Sequence, residues 1–120
     1  MSKILVIEDE KNLLFAATKK LELNGFEVIG VGTAEEGLEK MKEKPDLIWL
    51  DLLLPKMGGL EFLHKIRQTP EYKKIPVIIV ANSGGQDKID KAFELNVVDY
   101  LVKAEHTLEY IISKINGVLK

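Results

Sequence analysis

Carboxylates set against apolar runs mark where this 120-residue chain could do chemistry. Ile48-Trp49-Leu50-Asp51-Leu52-Leu53-Leu54-Pro55 places one acid inside a stretch otherwise committed to burial. A buried, ionised carboxylate without partners is costly, or it takes up a proton. Glu8-Asp9-Glu10 closes a second apolar run, Ile4-Leu5-Val6-Ile7, and Lys103 closes a third. If Glu8, Asp9 and Asp51 met at one corner they would repel, and one would protonate unless a cation sat among them. Such all-oxygen donors, with no His or Cys beside them, suit Mg²⁺, with waters and a backbone carbonyl completing the octahedron. A carboxylate flanked by a divalent ion and a lysine is arranged to accept a phosphoryl group. The cations neutralise the equatorial oxygens while an Asp51 oxygen attacks in line. Each residue alone has a plainer use: Glu8 and Asp9 as helix caps, Asp51 as a turn residue ahead of Pro55, Lys103 as a solvated surface lysine. The chemical reading depends on their meeting.

Composition narrows the classes. One domain, residues 1–120, is expected at this length, large enough for a single core. Hydrophobic residues make up 46% and charged residues 30%, the balance of a globular chain. Cysteine is absent, which excludes disulfides, thiolate zinc and a cysteine nucleophile. No apolar stretch approaches the ~18 residues of a membrane span, and Met1-Ser2-Lys3 leads straight into a strand, so a soluble, cytoplasmic chain is expected. The net charge is −2 with scattered Lys and Arg, so no basic face offers itself to nucleic acid.

The elements that must position these residues alternate. Strands are expected at residues 4–7, 27–31, 48–51, 77–81 and 97–102; Ile4-Leu5-Val6-Ile7 is a run without polar alternation, as in a strand covered on both faces. Helical spacing joins Leu13, Leu14, Ala17 and Leu21, with Asn24-Gly25 as a left-handed stop. Thr33-Ala34-Glu35-Glu36 reads as a capping box opening a second helix, with Lys40, Lys42 and Lys44 late and Pro45 ending it. Met57-Gly58-Gly59 opens a third helix with Leu60, Leu63 and Ile66 inward. Asn82-Ser83-Gly84-Gly85 is a loop; Ile89, Ala92, Phe93 and Leu95 belong to a fourth helix, and Leu108, Ile111, Ile112, Ile115 and Leu119 to a fifth.

Five β-then-α units in a small domain predict an α/β, flavodoxin-like, doubly wound parallel sheet of order 2-1-3-4-5, with five helices in three layers. Ligands of such sheets sit outside the C-terminal strand ends where the winding reverses. Strands one and three are neighbours in that order. Glu8, Asp9 and Asp51 are thereby expected at one corner.

Three blocks of the chain resemble the signatures of the response-regulator receiver domain: Ile4-Leu5-Val6-Ile7-Glu8-Asp9-Glu10, Asp51-Leu52-Leu53-Leu54-Pro55-Lys56-Met57-Gly58-Gly59 and Asp99-Tyr100-Leu101-Val102-Lys103. The resemblance covers essentially the whole chain, in order. It implies that Asp51 is the phosphoacceptor, Asp9 a direct Mg²⁺ ligand, and Glu8 an outer ligand through water. It also implies that Leu53 lends its backbone carbonyl and that Lys103 contacts the phosphoryl oxygen. Glu8 in place of Asp is a common variant in this family.

Two positions depart from the family pattern. Receivers carry Ser or Thr at the end of strand four, and ungapped spacing puts Ala81 there. Ala81 removes one hydrogen bond favouring the active state, worth about 1.5–3 kcal/mol if charge-assisted, or up to roughly a hundredfold in the conformational equilibrium. The backbone amides of Asn82 and Ser83 remain able to grip phosphoryl oxygens. Ala104 stands where the family usually has Pro, so a cis bond is not expected. Tyr100 occupies the place of an aromatic that turns inward when the Ser/Thr moves; a plain core tyrosine is the other reading. Trp49 is read as packing, and His64 and His106 as solvated.

The expected function is a two-component receiver that takes a phosphoryl group from a histidine kinase or phosphotransfer protein. It would signal to a downstream protein through the face of helix four, strand five and helix five. Unless the chain is a fragment of a longer regulator, output by protein contact is expected, as a monomer or a phosphorylation-dependent dimer, without direct nucleic-acid or membrane binding. Such a chain is not an enzyme beyond its own phosphorylation and dephosphorylation. The alternative is a phosphorylation-independent interaction module. An aspartate-based phosphatase would want an acid where Leu53 stands, and a flavodoxin-type cofactor binder would want a phosphate cradle where Glu8-Asp9-Glu10 stands.

Overall fold

A computed structural model describes residues 1–119. Five strands, β1 (Lys3–Ile7), β2 (Glu27–Val31), β3 (Leu47–Leu50), β4 (Val77–Ala81) and β5 (Asp99–Val102), form one sheet of order β2-β1-β3-β4-β5. All four pairings are parallel. The helices are α1 (Lys11–Leu23), α2 (Ala34–Lys40), α3 (Gly59–Arg67), α4 (Gln86–Glu94) and α5 (Leu108–Leu119), with short 3-10 turns at Met41–Glu43 and Lys103–Glu105. The doubly wound order expected from the sequence is the one observed.

Strand residues point alternately to two cores. Leu5, Ile7, Ile48, Leu50, Val77, Ile79 and Ala81 pack with Phe62, Leu63 and Ile66 of α3 and with Ala34 and Ala92. Ile4, Val6, Leu47, Trp49, Ile78 and Val80 pack with Ala17 and Leu21 of α1 and with Ile111, Ile112 and Ile115 of α5. Unbroken apolar runs are therefore satisfied on both faces, and β1, β3 and β4 lie in the dry middle of the sheet. Trp49 is fully buried, and its indole N–H finds no acceptor among the described residues.

Several local expectations need correction. The fifth strand begins at Asp99, not Val97. Val98 donates its N–H to Val77 O at 2.8 Å, a single bond at the entry to an edge strand that the apolar run does not distinguish from the ladder proper. Phe93, expected inward, is 45% exposed, and Ala92 takes the buried place on α4. Phe62 takes the fully buried place on α3, while Leu60 is only half-buried. The Thr33 hydroxyl caps α2 by accepting the Glu36 N–H at 3.1 Å, but Glu36 Oε1 accepts from that same hydroxyl, so the reciprocal half of the box is not made. The first helix does end on a left-handed glycine, Gly25 at φ 89°.

One tether was not foreseen. Arg67, at the end of α3, donates to Leu95 O at 2.7 Å, Ile75 O at 2.9 Å and Asn96 O at 3.2 Å. It joins the approaches to β4 and β5 at the edge of the sheet opposite the acids. Replacing it with methionine keeps the apolar stem but leaves these carbonyls, and that of Tyr72 at 3.5 Å, without a charged donor. Arg67→Met should lower unfolding free energy by about 2 kcal/mol, read as a reduced urea midpoint at unchanged slope.

Candidate functional site

The ladder itself delivers the acids. Ile7 pairs with Leu50 in register, and one residue further Asp51 donates its N–H to Ile7 O at 3.0 Å. On the other side of β1, Glu8 donates its N–H to Val31 O at 3.0 Å. Glu8 and Asp51 therefore sit on adjacent strand tips, 0% and 1% exposed, with Asp9 exposed above them. One carboxylate oxygen each of Glu8, Asp9 and Asp51 lies within 4.8 Å of the others. The corner inferred from strand order exists.

Lys103 reaches it from β5, two strands away. Its ammonium lies 3.0 Å from Glu8 Oε2 and 3.7 Å from Asp51 Oδ2. The closer partner is Glu8, an ion pair that the expected contact of Lys103 with a phosphoryl oxygen does not include. The Lys103–Ala104 peptide is trans, as expected without proline.

Electrostatics at Asp51 follow from this arrangement. Burial first, and then repulsion from Glu8, push its pKa up to about 7; Lys103 opposes the rise, and carboxylate contacts with Asp9 and Glu8 add to it. Asp51 Oδ1 accepts a long 3.4 Å bond from Leu53 N–H. Glu8 Oε1 is buried with no hydrogen-bond partner among the described residues. An oxygen-only donor set, an unpaired buried oxygen and a carboxylate held towards protonation all fit a hard divalent cation of the Mg²⁺ kind.

The loop after β3 is tightly held. Lys56 takes φ 61°, a left-handed turn. The Met57 N–H donates to Glu35 Oε2 at 3.2 Å, and the Gly59 N–H to Leu52 O at 2.9 Å. Leu54 is buried as an anchor while the Leu53 side chain is 70% exposed, which leaves position 53 only its backbone to contribute. Glu35 was missed by sequence reasoning because nothing local links it to Met57; its place in the first turn of α2 is the sole hint.

Ala81 lies buried at the end of β4, level with Val102, and brings no hydroxyl. Tyr100 is half-buried and packs on the same core; its phenol donates to Ser83 O at 2.8 Å. Burial and the Asp51 charge both raise the Tyr100 pKa, which puts the phenol within the field of the acid corner. Asn82 and Ser83 are exposed on the loop beyond. His64 is exposed, but His106, expected in solvent, is half-buried and stacks on Tyr110 at 4.5 Å.

Comparison with known proteins agrees with this geometry. A family model described as the response regulator receiver domain matches residues 4–116. The phosphate regulon transcriptional regulatory protein PhoB of Rhizobium meliloti (strain 1021) is 31% identical over 121 residues, covering 100% of this chain and 53% of its own length. Among solved structures, the Mn²⁺-bound form of response regulator Rcp1 superposes with a TM-score of 0.82 at 30% identity, covering 98% of this chain and 91% of that one. Vibrio cholerae chemotaxis protein CheY4 shares the fold at a TM-score of 0.90 and 24% identity, covering 98% of each chain. The chain spans about half the length of the transcriptional regulators it matches. No helix among the described residues is long and apolar enough to cross a membrane. Acids on two adjacent strand tips, a lysine from a third and a family match over nearly the full length lead to one conclusion: the chain belongs to the response regulator receiver domain family.

Proposed function

We propose that residues 1–120 act as a single receiver domain in which Asp51 takes a phosphoryl group from a histidine kinase or phosphotransfer protein. The observation that carries this reading is the burial of Asp51 within 3.7 Å of Lys103 and beside two further acids. Glu8, Asp9, Asp51 and the Leu53 carbonyl would hold Mg²⁺. That Rcp1 is described in a Mn²⁺-bound form supports a divalent site in a relative. The cation, when bound, favours the ionised Asp51 and neutralises oxygens of the incoming group. An Asp51 oxygen then forms a P–O bond to phosphorus as the donor's P–N bond breaks, and Lys103 takes a phosphoryl oxygen of the product. The Asn82 and Ser83 amides lie on the loop that would complete the grip.

The product adds about −1.5 to −2 charges at a buried corner. Passing that change on is where Ala81 matters, since it has no hydroxyl to follow the phosphoryl group. Tyr100, already bonded to Ser83 O, holds the loop after β4 without it. Switching is thereby weaker than in receivers with Ser or Thr, and its output runs through α4, β5 and α5, where Phe93 is exposed. The partners are a histidine kinase or phosphotransfer protein upstream and a protein downstream, with the chain acting in the cytoplasm.

The test is chemical. Incubated with Mg²⁺ and acetyl phosphate, the protein should gain one phosphoryl group by intact mass, and Asp51→Asn should gain none. An unlabelled parent that also fails to bind beryllofluoride would replace this reading with a phosphorylation-independent interaction module.

A further inference from the structure

The loop that follows Asp51 is held at its ends and open in its middle. Leu54 is buried and the Gly59 N–H donates to Leu52 O at 2.9 Å, while Pro55 and Lys56 stand in solvent and Lys56 turns left-handed at φ 61°. Among the described residues, one hydrogen bond ties residues 55–57 to another element: the Met57 N–H donates to Glu35 Oε2 at 3.2 Å. The other end of that bond is rigid. Thr33 caps α2 by accepting the Glu36 N–H at 3.1 Å, and Ala34 and Gly37 are buried on either side of Glu35. Gly37 lies so close to β1 and α3 that a Cβ there would stand 2.5 Å from Ile7 Cδ1 and 3.2 Å from Phe62 Cε2. The Glu35 carboxylate therefore spans from a fixed helix turn to a loop with little else to hold it.

We propose that Glu35 is a positioning residue for the divalent-cation site: by accepting the Met57 N–H it keeps the loop after β3 in the form that offers the Leu53 carbonyl as a ligand. The inference rests on the metal-assisted phosphoacceptor reading above and adds to it a residue that touches neither the cation nor the phosphoryl group. The route from Met57 back to Leu53 is short and stiff. Pro55 locks its own φ, and it confines Leu54 before it to extended backbone. A displacement at Met57 is thus passed to the peptide between Leu53 and Leu54 instead of being absorbed on the way. Mg²⁺ tolerates little departure from octahedral geometry, so a carbonyl that wanders is a ligand lost. Where the competent form is populated only part of the time, the apparent dissociation constant rises by the inverse of that fraction. A loop released from Glu35 that keeps this form about one-fifth of the time would bind Mg²⁺ about fivefold more weakly.

Mg²⁺ calorimetry on the parent, Glu35→Ala, Glu35→Gln and Glu39→Gln tests this, with hydrogen exchange at the Met57 amide reading the bond itself. Glu35 is exposed, and urea midpoints check that each variant is folded where it is titrated. Alanine should weaken Mg²⁺ about fivefold and speed Met57 exchange about tenfold. Glutamine keeps an acceptor oxygen without the charge, and should stay within about twofold of the parent in both measurements. Glu39→Gln removes a charge from an exposed position of the same helix and should change neither. If glutamine weakens Mg²⁺ as much as alanine does, the carboxylate is acting as a distant charge and the proposal is overturned. It is overturned equally if alanine frees the Met57 amide and leaves Mg²⁺ affinity unchanged. In both cases a parent that binds Mg²⁺ and is labelled by acetyl phosphate leaves the phosphoacceptor reading standing. A parent that binds no Mg²⁺ removes the metal-assisted reading and this inference together.

Discussion

At pH 7.5 without divalent metal, Asp51→Asn should melt about 10 °C above the parent. The folded-state pKa of Asp51 is raised from 3.8 to about 7, chiefly by burial and by Glu8. A group raised in this way lends its full stability below the unfolded value and loses it as pH climbs through the folded one. Each pKa unit is worth about 1.4 kcal/mol, so ionising Asp51 in place withdraws about 3 kcal/mol between pH 4 and pH 7. For a chain of this size that is roughly 3–4 °C per kcal/mol. Asparagine fills the same space without the charge. It strands no cation either, because Lys103 keeps Glu8 at 3.0 Å. Thermal melts from pH 4 to pH 8 check the sign: the two proteins should converge near pH 4 and separate as pH rises. Added Mg²⁺ should raise the parent's midpoint and leave Asp51→Asn nearly unmoved, closing the gap from below. A gap that stays constant with pH would mean that Asp51 is not the strained carboxylate.

Gly59→Ala should be the most damaging single methyl group in the chain. A Cβ at Gly59 would stand 2.3 Å from Asp51 O and 2.7 Å from Leu52 Cα, both backbone atoms of the segment that carries the phosphoacceptor. Neither can rotate away. Either the start of α3 lifts off the sheet or the Asp51 turn shifts, and about 3 kcal/mol or more is lost at the severe end of overpacking. The site should suffer with the fold, so Mg²⁺ should no longer raise the melting temperature of whatever folded protein remains. Gly37→Ala provides the control. Its Cβ would meet Ile7 Cδ1 at 2.5 Å, the end of a side chain that can change rotamer, and the expected loss is about 1 kcal/mol. Urea midpoints for the two variants read the difference directly.

Much of this structure is legible before any coordinates. The spans of β2 and β4 are both legible: β4 is an apolar run buried on both faces, and β2 a Val- and Ile-bearing edge strand between turn signals. Thr33 is recognisable as a cap because an N-cap acts on its own helix, within three residues. Where expectation and structure part, distant packing decides. Val97 and Val98 look like strand but precede the ladder of an edge strand. Phe93 looks like core but stays largely exposed, while its neighbour Ala92 takes the buried place on α4. Arg67 gives no sign of its carbonyl partners, since these come from two loops that meet only after the sheet has formed.

By itself, the order of residues determined the doubly wound sheet and which acids stand at its switch point. Apolar periodicity is a local property, and the handedness of β-α-β connections leaves few ways to wind five such units. Only the tertiary structure decided that Lys103 leans on Glu8 before Asp51, that Tyr100 holds Ser83, and that Glu35 steadies the loop at Met57. These choices turn on differences of less than an ångström between competing oxygens and on side-chain reach across separate strands and loops. Sequence spacing carries no record of either.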